Sequence, residues 1–233
     1  ILIFSIQAAS NNFTLPMMGD YSLQTYAFYA QGYDAFWEFI KYGKVTMFDF
    51  SNFLGANYFG TQSFYYLFSP LFYILCLCPR KFLYQGIFFH MVLKFAIGGF
   101  FMYILLRKYF SISKKTSFFA SFAYAFSGWS LFYVWFHFGE VVAFFPLFLM
   151  GMERLLKTRK GILLSISLFL IAISNYFFAV NFALFGVTYA LFRWISIYGI
   201  NKKRGYSAKE RWGVLLQGVL FYGVGLLMAA FVL

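Results

Sequence analysis

Acidic side chains are scarce: 7 Asp and Glu stand against 19 Lys and Arg in 233 residues, for a formal charge of +12. Charge of either sign is scarce too. Only 11% of residues are charged and 62% are hydrophobic, with a mean hydropathy of +0.72, whereas about a quarter of a soluble domain is charged. That balance excludes an ordinary water-soluble fold, so most of the chain must face lipid or bury itself in a helix bundle. In a soluble protein the basic excess would suggest nucleic acid. Here Lys and Arg sit in short loops between apolar runs, where they orient helices and touch anionic lipid, so membrane lipid is the partner and nucleic acid is not. Cysteine is nearly absent. Cys76 and Cys78 lie too close for an ordinary disulfide and lack metal-ligand neighbours, so both read as small buried hydrophobes. No cofactor or metal is assigned.

What is abundant is aromatic: 37 Phe and 19 Tyr. Girdles at the membrane interfaces account for part of this, and core filling for the rest. The chain opens at Ile1 without an initiator Met and ends at Leu233 inside an apolar run. It reads as a piece of a larger protein, missing the start of its first span and whatever follows its last.

One long stretch cannot be read as membrane-spanning. It runs from Met18-Gly19-Asp20-Tyr21 to Ser69-Pro70 and holds Asp20, Asp34, Glu38 and Asp49, four of the seven acidic residues. Residues 1–12 are the end of a first span. Pro16 and Gly19 then break the helix and place Asp20 just outside the membrane. Leu23, Tyr26, Tyr29, Tyr33 and Trp37 fall close to one helical face, which predicts a helix lying along the interface. Residues 13–81 thus form an external loop, with Phe64–Leu77 re-entrant or interfacial.

Three basic clusters, Arg107 to Lys115, Arg154 to Lys160 and Arg193 to Arg211, decide the rest. With all three on the cytoplasmic side, residues 82–233 divide into six spans: Phe82–Leu106, Thr116–His137, Val141–Met152, Gly161–Asn175, Phe177–Phe192 and Trp212–Leu233. Val141–Met152 is short and must extend into Arg154-Leu155-Leu156. The loop of Asp20 and the turns at His137-Phe138-Gly139-Glu140 and Ser174-Asn175-Tyr176 then share the outer face. His90 and Lys94 lie four residues apart on one face of a span. A lysine near mid-membrane is expensive and faces a cavity or a partner. A structural ion pair or a functional cation both satisfy that.

Gly19-Asp20-Tyr21-Ser22-Leu23-Gln24-Thr25-Tyr26, Phe53-Leu54-Gly55-Ala56-Asn57-Tyr58-Phe59-Gly60 and Tyr65-Tyr66-Leu67-Phe68-Ser69-Pro70 resemble the bacterial YfhO membrane-protein family. So do Leu93-Lys94-Phe95-Ala96-Ile97-Gly98-Gly99, Ser127-Gly128-Trp129, Gly151-Met152-Glu153-Arg154 and Ser174-Asn175-Tyr176. The resemblance implies an all-α, polytopic integral membrane protein of the bacterial plasma membrane. Its helix bundle would be GT-C-like, with a long first external loop. It further implies a glycosyltransferase that moves a sugar from a polyprenyl-phosphate donor to a cell-surface polymer such as lipoteichoic acid. By that carry-over Asp20 is the acidic residue of the catalytic loop, deprotonating the acceptor, and Glu140 is a second acid. Lys94 or His137 would offset the phosphate charge, while Asn57, Tyr65 and Asn175 would contact substrate. A transporter or flippase for a lipid-linked sugar is the alternative. It should show inverted repeats and broken helices near the midplane, and no internal repeat is visible.

Overall fold

Apolar runs with the helical period become helices throughout. The computed structural model describes residues 24–50, 55–133, 139–200 and 206–232. In chain order, α1 is Tyr26–Tyr42, α2 Tyr58–Gln62 and α3 Pro70–Leu75. The long α4, Leu83–Tyr109, follows a single 3-10 turn at Arg80–Phe82. Beyond it lie α5, Lys114–Ala125; α6, Gly128–Tyr133; α7, Gly139–Thr158; α8, Ile162–Ser174; α9, Tyr176–Trp194; and α10, Ala208–Met228. Two short strands, β1 (Phe48–Asp49) and β2 (Ala56–Asn57), pair antiparallel with Phe48 opposite Asn57. Their hairpin stands between α1 and α2.

Helix starts follow local chemistry. Ser69, followed by Pro70 at the first helical position, caps α3 through its side chain. Ser113 caps α5, Asn175 caps α9, and Ser207 with Glu210 forms a capping box on α10. α1 ends at Gly43, whose φ of 64° is left-handed.

Three helical stretches among the described residues are long and apolar enough to cross a membrane: Arg80–Tyr109, Tyr176–Gly199 and Ala208–Met228. α8 is apolar but short. α7 carries Glu140, Glu153, Arg154 and Lys157, and is the helix most enclosed by others. It packs against α4 and α8, and α8 in turn packs on α10. Small residues permit the closest approaches: a Cβ on Gly151 would come within 2.7 Å of the Leu164 backbone. The core around Phe148, Leu168 and Ile171 lies where α7 and α8 meet. A second, aromatic core of Tyr29, Tyr33, Tyr66, Phe72 and Cys76 binds α1 and α3 to the start of α4.

The expected single helix over Thr116–His137 is interrupted. α5 stops at Ala125, and Ser127 turns the chain, its hydroxyl accepting from the Ser130 amide at 3.3 Å and sharing a bond with Ser130 Oγ at 2.9 Å. α7 begins before Val141 and runs on to Thr158.

Contacts between elements sort the bundle into two ends. Ser69 meets Glu140, and Asn175 Nδ2 donates to the Phe64 carbonyl at 3.1 Å, so α1 to α3 and the starts of α7 and α9 share one end. At the other, Lys157 meets the Tyr109 carbonyl, Arg159 meets that of Glu210, and the Arg193 guanidinium lies 5.3 Å from the Phe110 ring.

Candidate functional site: a buried charged cluster at the loop-bearing end

Glu140 stands in the first turn of α7, where a carboxylate is favoured by the unpaired amides and the helix dipole. It is 1% exposed, and three side chains from two other elements converge on it. Ser69, the cap of α3, donates its hydroxyl to Oε2. From α4, His90 Nε2 approaches Oε1 at 3.3 Å and Lys94 Nζ at 3.7 Å. His90 and Lys94 are both 5% exposed. The four-residue spacing brings both side chains to the same carboxylate.

The cluster is incompletely satisfied. His90 Nε2 and Glu140 Oε1 approach closely, but neither atom makes an aligned hydrogen bond. Buried polar atoms with unspent hydrogen-bonding capacity are rare in folded proteins and mark strained, redox or catalytic places. Lys94 also borders a narrow cleft shared with Tyr124, Trp129, Ser130 and Gly139. Tyr124 fixes one wall by donating to the Val142 carbonyl at 2.7 Å. The Tyr29 ring stands edge-on to His90 at 5.9 Å and belongs to the aromatic core. The arrangement thus offers a carboxylate, an imidazole and an ammonium screened from bulk water, of which the ammonium of Lys94 borders a cleft of about 20 Å³.

Other anticipated residues take distinct positions. Asp20 and His137 lie outside the described residues. Asn57 is exposed and caps α2, its Oδ1 accepting from the Gly60 amide at 3.3 Å. Tyr65 is half-buried between Phe28 at 4.5 Å and Phe64 at 5.2 Å. Asn175 is fully buried with both amide atoms engaged, Oδ1 with the Phe178 amide at 3.0 Å and Nδ2 with the Phe64 carbonyl. Asp34 holds Arg80 through two bonds of 2.8 and 3.1 Å, and Asp49 accepts from Gln31. Around Glu140, then, the structure gathers Lys94 together with two residues that sequence reasoning left out of the site, His90 and Ser69. The Ser-Pro pair is a local signal for the helix start that Ser69 caps, but its reach across 71 residues to Glu140 has no local signature.

A second buried carboxylate, Glu153, lies in the last two turns of α7, which ends at Thr158. Arg193 grips it with two bonds of 2.5 and 2.9 Å, Tyr189 donates at 2.7 Å, and Lys157 stands at 3.2 Å. Both oxygens are engaged. This cluster fastens α7 to α9.

Among the described residues no three His, Cys, Asp or Glu side chains group to hold a metal ion. The family model described as "Bacterial membrane protein YfhO" matches residues 1–233. No curated protein and no solved structure gives a match. Ser69, Lys94 and Asn175 each lie in one of the motifs that carried the resemblance, and the match runs the full length of the chain: it belongs to the YfhO family of bacterial membrane proteins.

Proposed function

We propose that this chain is part of a membrane glycosyltransferase that moves a sugar from a polyprenyl-phosphate donor to a cell-surface polymer such as lipoteichoic acid. The reaction would take place on the outer face of the plasma membrane. The observation that carries the reading is the Glu140–His90–Lys94 cluster, a set of ionisable groups buried at the end that bears the long polar loop, with Lys94 bordering a narrow cleft. Perturbable groups in such surroundings are where catalytic and binding sites are found. In this reading the basic end faces the cytoplasm and α1 to α3 lie outside. The chain crosses six times after residue 82, with α5 and α6 making one interrupted crossing.

Asp20 removes the proton from the acceptor hydroxyl as that oxygen attacks the anomeric carbon. The bond from that carbon to the lipid phosphate breaks, and the phosphate leaves with its electron pair. Lys94, helped by His137, offsets the charge that develops there. Glu140 holds Lys94 in place, and its buried, engaged position suits that role better than taking a proton from solvent-borne substrate. Asn57, Tyr65 and Asn175 shape the walls of the loop end.

Sugar transfer from labelled polyprenyl-phosphate sugars to membrane acceptors tests this directly. Asp20→Asn should cut turnover by about 10²–10⁴-fold, the usual worth of a positioned base, with donor binding retained. Asp34→Asn and Asp49→Asn should lose far less. Near wild-type transfer by Asp20→Asn would refute the assignment.

The interruption between α5 and α6, beside charged groups well inside a long helix, is a feature of transporters as well. Movement of a fluorescent lipid-linked sugar across proteoliposomes, without transfer, would favour a flippase instead.

A further inference from the structure

A second hollow takes Tyr66 and Phe72 of the aromatic core as part of its wall. It encloses about 310 Å³ and is lined chiefly by Gly32, Phe36, Tyr58, Tyr66, Phe72 and Tyr73. That volume is at the lower end of the range for small-molecule sites. Gly32 makes it possible: a Cβ there would fall 2.2 Å from the Tyr66 ring, which lies across α1 as the floor. The phenols in its walls are already engaged. Tyr58 and Tyr66 share a hydrogen bond of 3.2 Å, and Tyr73 donates to the Leu67 carbonyl at 2.5 Å. The walls therefore present ring faces and few free polar groups, which suits hydrocarbon and opposes a sugar, whose hydroxyls would go unpaired.

The mouth agrees with the walls. Phe39, Val45 and Phe59 line it and are 53, 48 and 36% exposed, apolar surface of the kind that marks contact with lipid or a partner. The cation in the lining is Lys44. Its 3.0 Å contact with Glu38 is solvent-exposed on both sides, so it is weak and leaves the ammonium available. We propose that this hollow takes one acyl chain of an anionic bilayer phospholipid, with the phosphate at Lys44. The loop of α1 to α3 is thereby held against the outer leaflet by a lipid. The lipid assignment does not depend on sugar transfer; the choice of the outer leaflet rests on the orientation proposed above.

Photocrosslinking in nanodiscs tests it. The full-length protein is incorporated with phosphatidylglycerol, or with phosphatidylcholine, bearing a diazirine near the end of one acyl chain. Crosslinks should map to the peptides of Phe36 and Phe72, about fivefold more with the anionic probe, as one lysine near a charged surface implies. Lys44→Gln should erase that preference. Ala35→Phe, which fills the hollow, should remove the label there and keep the label on the outer faces of α9 and α10. Should Ala35→Phe fail to fold, Val45→Asp on the exposed rim should give the same loss. Three results would overturn the proposal: labelling confined to the outer faces of the long helices; labelling of the hollow by polyprenyl phosphate alone; or crosslinks showing a segment of this chain seated in it.

Discussion

Replacing Glu140 by Gln keeps its size and removes the charge that balances Lys94. The two groups are 3.7 Å apart and 1% and 4% exposed at their side chains, a separation worth about 4.5 kcal/mol of attraction at an effective dielectric of about 20. Much of that is offset by desolvation in the intact protein. Removing one partner, however, leaves the other charge buried and alone, at a cost of about 3–5 kcal/mol. A lone lysine inside a span costs about 2.5–3.5 kcal/mol on insertion scales. Glu140→Gln and Lys94→Met should therefore each lower stability by about 3 kcal/mol. The double variant, with no charge left to bury, should be no less stable than either single one, giving a coupling of about 3 kcal/mol. SDS-induced unfolding in mixed micelles, followed by tryptophan fluorescence, reads all four states. Additivity within about 0.5 kcal/mol would mean that Lys94 and Glu140 do not sense each other, and the buried cluster would be refuted.

Asn175→Ala removes both the cap of α9 and the tie to Phe64, and should lower stability by about 1–2 kcal/mol. Asn175→Ser should recover the capping part, and a variant as stable as wild type would show the cap to be idle. Burial pushes the Cys76 thiol up to about 12 from an ordinary 9.0, leaving roughly a thousandfold less thiolate at pH 8. In Cys78→Ser protein, maleimide should thus label Cys76 only after unfolding or as the pH climbs toward 12; fast labelling of folded protein at pH 8 would contradict its burial. In a cysteine-free background, Asn57→Cys should react with an impermeant maleimide from outside intact cells, and Lys157→Cys should not. The reverse pattern would invert the orientation.

Composition and periodicity made the helical membrane architecture legible, because a continuous apolar run with loop-borne charge has few other solutions. α4 is found within three residues of its expected bounds. Its His90–Lys94 face was legible for the same reason: spacing along one helix needs no tertiary information. The partner of that face was not. Glu140 was expected in a tight turn beside His137, as a second acid of the site, and only the packing of α7 on α4 reveals that it meets Lys94. The break at Ser127-Gly128 was hidden inside an apolar run even though Ser-Gly is a known breaker, since hydrophobicity outweighed it. Asn57 and Asn175 illustrate the opposite difficulty, for an asparagine in a loop reads alike as a ligand or as a cap until the next helix start is placed.

The two buried carboxylates of α7 also bear on how the chain is made. Glu140 finds Lys94 on a helix synthesised earlier, so its charge can be matched as α7 leaves the ribosome. Glu153 depends on Arg193, 40 residues further on, and until then has only Lys157, one turn away on its own helix. A lone carboxylate is poorly tolerated in hydrocarbon. If α7 crosses the bilayer as proposed, it has reason to linger beside the translocation channel until α9 arrives, and the three helices from α7 to α9 would enter together instead of one by one.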